Sequence, residues 1–100
     1  MRYNACTSFE SLLMQPPNDT ELAVLATATG QLLLAGRHML VTAESCTGGW
    51  IAKCMTDVAG SSAWFDCGMA AYSYEAKQAL LGVRPQTLEQ HGAVSRECVV

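Results

Sequence analysis

The stretch that most constrains the fold is "MLVTAESCTGGWIAKCMTDVAG", residues 39–60. Its first five residues, Met39 to Ala43, are short, apolar and β-branched, the pattern of a buried strand. From "GGWIAKCMTDVAG" onward, Trp50, Ile51, Cys54 and Met55 recur at helical spacing, so a helix is expected there with Gly60 as its stop. A strand that feeds a helix through a turn of small residues is the repeating unit of layered α/β folds.

The rest of the chain continues the alternation. Pro16-Pro17 blocks a helix, Asn18 or Asp19 can cap the next one, and Glu21 sits in its first turn. Leu22, Leu25, Ala26, Leu32 and Leu33 recur at helical spacings of three, four and seven, which predicts a helix from about 19 to 35 ended by Gly36. Gly30 inside it costs about 1 kcal/mol of helix propensity. "WFDCGMAAY", Trp64 to Tyr72, is a second strand whose small residues suit burial on both faces. Ser73 caps "YEAKQALLG", which Gly82 closes. Pro85 opens "PQTLEQHG", stopped by Gly92, and Ser95 caps "RECVV". The expected organisation is a loose leader over residues 1–18 and one α/β domain over 19–100, a small layered sheet with helices on both faces. Two or three strands make a meagre sheet and the last helix is cut at Val100, so the fold reads as incomplete, and self-association into a homo-oligomer is expected.

Composition narrows the function. Half the residues are hydrophobic and 15% are charged, a globular balance. Net charge is −3 with Lys and Arg scattered, so no basic stripe exists for a nucleic-acid backbone. Apolar runs are only a few residues, against about 20 for a membrane span. "MRYNACTSFESLLMQPP" lacks the apolar core of a secretory signal, and cytoplasmic residence follows. The five cysteines, Cys6, Cys46, Cys54, Cys67 and Cys98, contain no C-x-x-C pair and read as reduced thiols. His38 and His91 are far apart, so neither a metal nor another cofactor is expected.

The chemistry concentrates in "AESCTGG". A strand ending at Ala43 and a helix beginning near Thr47 put this turn where ligands bind in α/β sheets. Gly48 and Gly49 allow close backbone approach, and free amides there suit an oxyanion. Ser45 is then a candidate nucleophile, and a plain capping turn is the alternative. A serine needs a base. His91 sits beside a helix stop; Lys53 is mid-helix and solvated. Lys77 lies among Ala76, Ala79, Leu80 and Leu81. A lysine accepts a proton only as the neutral amine, which burial favours. Tyr72, at the end of the second strand, shares a sheet edge with Ser45 if the strands pair in parallel. Its hydroxyl is a candidate proton relay. Ser61-Ser62 form a second polar loop or a cap. A thiol mechanism through Cys46 and His91 is the competing reading.

"TAESCTGGWIAK", "GSSAWF", "YSYEAKQALLGV" and "LEQHGAVS" occur in this order. Together they resemble the C-terminal domain family of the competence-damage protein CinA, from Leu22 to Val100. The resemblance implies an amidohydrolase that converts the carboxamide of nicotinamide mononucleotide, a small nucleotide substrate, to the carboxylate with release of ammonia. It implies Ser45 as nucleophile, Lys77 as base and Tyr72 as the strand-end tyrosine. Cys46, Thr47, Gly48 and Gly49 would supply substrate and oxyanion contacts, without a metal. The family pattern reads "YSNEAK" where this chain has Tyr74, and it continues into a glycine-rich "SGIAGP"-like segment that has no match here. The alternative is a regulatory domain that keeps the nucleotide loop without catalysis.

Overall fold

A computed structural model describes residues 15–100; residues 1–14, most of the expected leader, lie outside the described residues. Helix α1 spans Asp19–Gly36. The Asn18 side chain accepts from the Glu21 amide at 2.8 Å, and Asp19 and Glu21 place negative charge at the helix's positive end. The expected stop is shifted by one residue. Gly36 is helical, and Arg37 takes the left-handed cap at φ 55°. Gly36 instead provides room: a Cβ there would lie 2.6 Å from the His38 ring. Gly30 has the same kind of reason, since a Cβ would lie 2.5 Å from the ring of Trp64, which is buried.

Strand β1 (Leu40–Glu44) and strand β2 (Phe65–Ala70) pair in parallel, with Thr42 opposite Gly68 and Glu44 opposite Ala70. Helix α2 connects them but is shorter than expected, Trp50–Thr56. The Thr56 hydroxyl donates back to the Ala52 carbonyl at 2.9 Å, and the chain turns through Gly60 at φ 79°. Ser61 and Ser62 belong to a 3-10 turn, Ser61–Ala63, that hands the chain to Trp64. The remaining helices are α3 (Tyr74–Leu81), α4 (Pro85–His91) and α5 (Arg96–Val99), with Ser73, Pro85 and Ser95 in the expected terminal roles.

The α/β class read from the sequence is the observed one. α2 lies against the sheet face that carries Thr42 and Gly68, so closely that a Cβ on Gly68 would meet Ala52 Cβ at 2.6 Å. Val41 and its partner Cys67, on the other face, are exposed. The expected burial of β2 on both faces is therefore not met among the described residues: most of the strand is exposed, Cys67 on the face away from α2 included. No helix of the described residues is long and apolar enough to cross a membrane. The buried apolar side chains are Ala26, Trp64, Ala71 and Leu88, and beside them Thr42, Glu44 and Lys77 are buried although polar. Glu44 and Lys77 mark the same end of the sheet.

Candidate active site

β1 runs one residue further than expected, to Glu44, and Ser45 follows directly. The parallel pairing is extended by the Ala71 amide, which donates to the Glu44 carbonyl at 2.8 Å. Ala71 and Tyr72 then lead into α3, whose Ser73 cap fixes the first turn through the Ala76 amide at 3.0 Å. Lys77 lies one turn along α3, and its side chain points back to the strand ends. Its Nζ is 2.9 Å from Ser45 Oγ and 2.8 Å from each of the carbonyls of Ala71 and Tyr72. The side chain is 4% exposed. Residues 32 apart in sequence thus meet in one hydrogen bond.

This geometry defines what the amine can do. Nζ has three partners. A neutral amine has two N–H groups and one lone pair. As an ammonium Nζ donates to all three partners, Ser45 Oγ included; in a neutral amine the two carbonyls, which can only accept, would take the two N–H groups and the lone pair would face the Ser45 hydroxyl. Lys53, read as solvated, is exposed on α2 and pairs with Asp57 four residues on.

The other site residues are placed as follows. Tyr72 touches Lys77 through its carbonyl, while its side chain is 72% exposed. Cys46 is exposed. Gly48 and Gly49 both adopt positive φ, 63° and 96°, which a side chain would strain. The helix begins at Trp50, not near Thr47, so Thr47 to Gly49 form a turn ahead of it. The Gly48 amide donates to the Ser45 carbonyl at 2.9 Å. The amides of Cys46, Thr47 and Gly49 donate to no atom of the described residues. His91 lies on α4 with Nδ1 3.9 Å from a Glu97 carboxylate oxygen, and it does not line the cleft at Ser45. The structure thus does not bring Cys46 and His91 together at that cleft.

Sequence reasoning missed Glu44. Its side chain is 5% exposed and accepts from Thr47 Oγ1 at 2.7 Å, the Ile51 amide at 2.7 Å, the Ala52 amide at 3.0 Å and Thr42 Oγ1 at 3.4 Å. Burial pushes its carboxyl up. The hydrogen bonds from the Ala52 amide, the Thr47 hydroxyl, the Ile51 amide and the Thr42 hydroxyl outweigh that and hold it below the usual carboxylate value. The first amides of α2 are therefore already occupied by the chain's own carboxylate. Around the Ser45–Lys77 pair opens a cleft of about 520 Å³, lined also by Glu44, Val83, Arg84 and Thr87.

Fold and site together define an α/β domain in which a buried lysine meets a serine at the C-terminal end of the first strand. The chain belongs to the CinA C-terminal domain family, whose family model matches residues 22–100. It is 57% identical over 82 residues to the nicotinamide-nucleotide amidohydrolase PncC of Escherichia coli, covering 82% of this chain and 50% of that protein. A putative competence-damage inducible protein of Caldanaerobacter subterraneus is 59% identical over 67 residues, covering 67% of this chain and 16% of that one. Among solved structures, the competence/damage inducible protein CihA from Agrobacterium tumefaciens superposes with a TM-score of 0.76 at 43% identity, over 84% of this chain and 50% of that chain. A CinA-superfamily protein from Escherichia coli gives 0.77 at 32% identity, over 85% and 49%. The chain spans about half the length of the PncC proteins it matches.

Proposed function

We propose that this chain carries the nucleophile and base of a nicotinamide-nucleotide amidohydrolase. In this reaction nicotinamide mononucleotide and water give nicotinate mononucleotide and ammonia. The observation that carries the reading is the contact of a 4% exposed Lys77 with Ser45 Oγ at 2.9 Å, with two carbonyls fixing the amine's other positions. Support for the substrate comes from the relatives named nicotinamide-nucleotide amidohydrolase.

Ser45 Oγ attacks the carboxamide carbon while its proton passes to Lys77 Nζ. The carbonyl oxygen becomes an oxyanion, for which the amides of Cys46, Thr47 and Gly49, uncommitted among the described residues, are the candidate donors in the turn after Ser45. The tetrahedral centre collapses, the C–N bond breaks, and the nitrogen takes the proton from Lys77 and leaves as ammonia. Water then attacks the Ser45 ester with Lys77 again accepting a proton; the bond from the acyl carbon to Ser45 Oγ breaks, Oγ takes that proton back from Lys77, and the acid product departs, losing its own proton to solvent as the carboxylate. Tyr72 acts in this reading by its carbonyl, which holds Nζ. A cleft of about 520 Å³ is of the size that takes a small ligand, and Arg84 on its wall offers a cation to a nucleotide phosphate.

The test is ammonia release from nicotinamide mononucleotide by the chain and by its Ser45→Ala variant. Release that vanishes with Ser45 supports the reading. Binding of the nucleotide with no ammonia released favours a non-catalytic nucleotide-binding domain, and release that persists in Ser45→Ala removes the serine from its role.

A further inference from the structure

The reaction above uses no side-chain atom of Glu44, yet Glu44 is more completely bonded than any other carboxylate among the described residues. A buried carboxylate is costly unless its bonds are made, and here they join three parts of the chain. Oε1 accepts from Thr47 in the turn and from Ile51 in α2; Oε2 accepts from Ala52 in α2 and Thr42 in β1. The main chain of the same residue reaches the other side of the site. The Glu44 carbonyl accepts from the Ala71 amide at 2.8 Å, and the Ala71 carbonyl accepts from Lys77 Nζ at 2.8 Å.

We infer that Glu44 is the positioning residue of the Ser45–Lys77 pair, an inference that rests on the reading of Ser45 as nucleophile. Its carboxylate fixes the turn from Ser45 to Gly49 against β1 and α2. That sets where Ser45 Oγ and the uncommitted amides of Cys46, Thr47 and Gly49 stand. Its carbonyl fixes the strand end from which Lys77 is held. By filling the first amides of α2 it also closes that helix end to an outside anion. The donors left for the substrate's carbonyl oxygen are then those of the turn.

The experiment compares the 100-residue chain with Glu44→Gln, Thr47→Val and Thr47→Ser. Glutamine keeps the shape but offers one acceptor oxygen, so its NH2 group opposes an α2 amide. Valine removes the 2.7 Å bond from Thr47, and serine restores it. Two rates are read in conditions where circular dichroism shows each variant fully folded: ammonia release from nicotinamide mononucleotide, and modification of Ser45 by a fluorophosphonate, followed by intact mass. Displacing a reacting group by about 1 Å costs up to about 10²-fold. Expected for Glu44→Gln is a kcat lower by about tenfold or more with KM changed less than about threefold, and a similar slowing of Ser45 modification. Thr47→Val follows in the same direction and Thr47→Ser returns toward wild type. A role in stability alone leaves folded molecules at the wild-type rate, so equal kcat and equal modification in Glu44→Gln overturn the inference. Where Glu44→Gln does not fold, the two Thr47 variants decide it by the same rates. Where the wild type releases no ammonia, the proposed function fails while Ser45 modification still decides the inference: slower modification in the variants supports it, and equal modification, or none in the wild type, overturns it.

Discussion

Replacing Lys77 by methionine separates its structural part from its chemical part. Methionine is unbranched and of similar length, so it fills the same buried channel. What it loses is three contacts made by one nitrogen, at 2.9 Å to Ser45 Oγ and 2.8 Å to two carbonyls. Tyr72 is largely exposed, and water can take over its carbonyl. Ala71 is fully buried, so its carbonyl loses its donor without replacement, a cost of about 1–3 kcal/mol. Removing an amine that burial keeps from water returns part of this. A net loss of about 1–2 kcal/mol is expected, which lowers Tm by about 4–8 °C per kcal/mol in a domain of this size. Activity should fall far more, by about 10²–10⁴-fold, the scale of a lost general base. Lys77→Arg is the companion variant. Guanidinium keeps donors but has no lone pair to accept a proton, so its turnover should fall by a similar factor. The assays are thermal unfolding by circular dichroism and ammonia release under conditions where each variant is folded. A Met or Arg variant within about tenfold of wild-type turnover removes Lys77 from the role of base. A Met variant that melts above wild type shows that desolvation of the amine outweighs its hydrogen bonds.

Three further outcomes are expected. Cys46→Ala should keep turnover within about tenfold while Ser45→Ala abolishes it, because the Cys46 thiol is exposed and outside the cleft while Ser45 touches Lys77; an acyl adduct trapped on residue 46 would contradict this. Glu44 has a folded-state value below that of an unfolded glutamate, about 4.3. Its contribution to stability should therefore be full above about pH 4.3 and be lost as pH falls through the folded value. The gap in unfolding free energy between wild type and Glu44→Gln, from urea titrations, should close on acidification; a gap unchanged down to about pH 3 would refute the sign. Gly30→Ala gains up to about 1 kcal/mol of helix propensity but drives a Cβ to 2.5 Å from a Trp64 ring that is 4% exposed. Overpacking of about 1–3 kcal/mol should win, lowering Tm and changing Trp fluorescence, and a stabilised variant would show that Trp64 can move aside.

What the sequence disclosed well was what local chemistry decides. Asn18, Ser73 and Ser95 cap helices through their own side chains, and Gly82 and Pro85 sit at helix ends, all within a few residues of the amides concerned. Gly30 and Gly36 show the limit. Read locally, one weakens a helix and the other stops it. In the fold each leaves room for a ring, Trp64 or His38, and no backbone preference records that. Glu44 was hidden for a related reason. A capping box places its acidic residue three positions past the N-cap, inside the helix. Here the carboxylate comes from the preceding strand and reaches amides seven and eight residues later, a spacing with no pattern to search for.

The site itself divides along the same line. Ser45 was legible because a strand, a glycine turn and a helix follow one another in sequence. Lys77 was legible only as a lysine on an apolar helix, since its partner lies 32 residues away. The carbonyls of Ala71 and Tyr72 were not legible at all, because every residue carries one and side-chain identity does not mark which will be used. That is why Tyr72 drew notice for its hydroxyl when it is the main chain that reaches Nζ. These two carbonyls orient the amine: they accept its N–H groups and turn the remaining position toward Ser45. Their own positions follow from the parallel register, which carries Ala71 one step beyond Ala70 onto the Glu44 carbonyl. The serine, the lysine that meets it and the carboxylate bonded to the turn are thus all placed by how two short strands end.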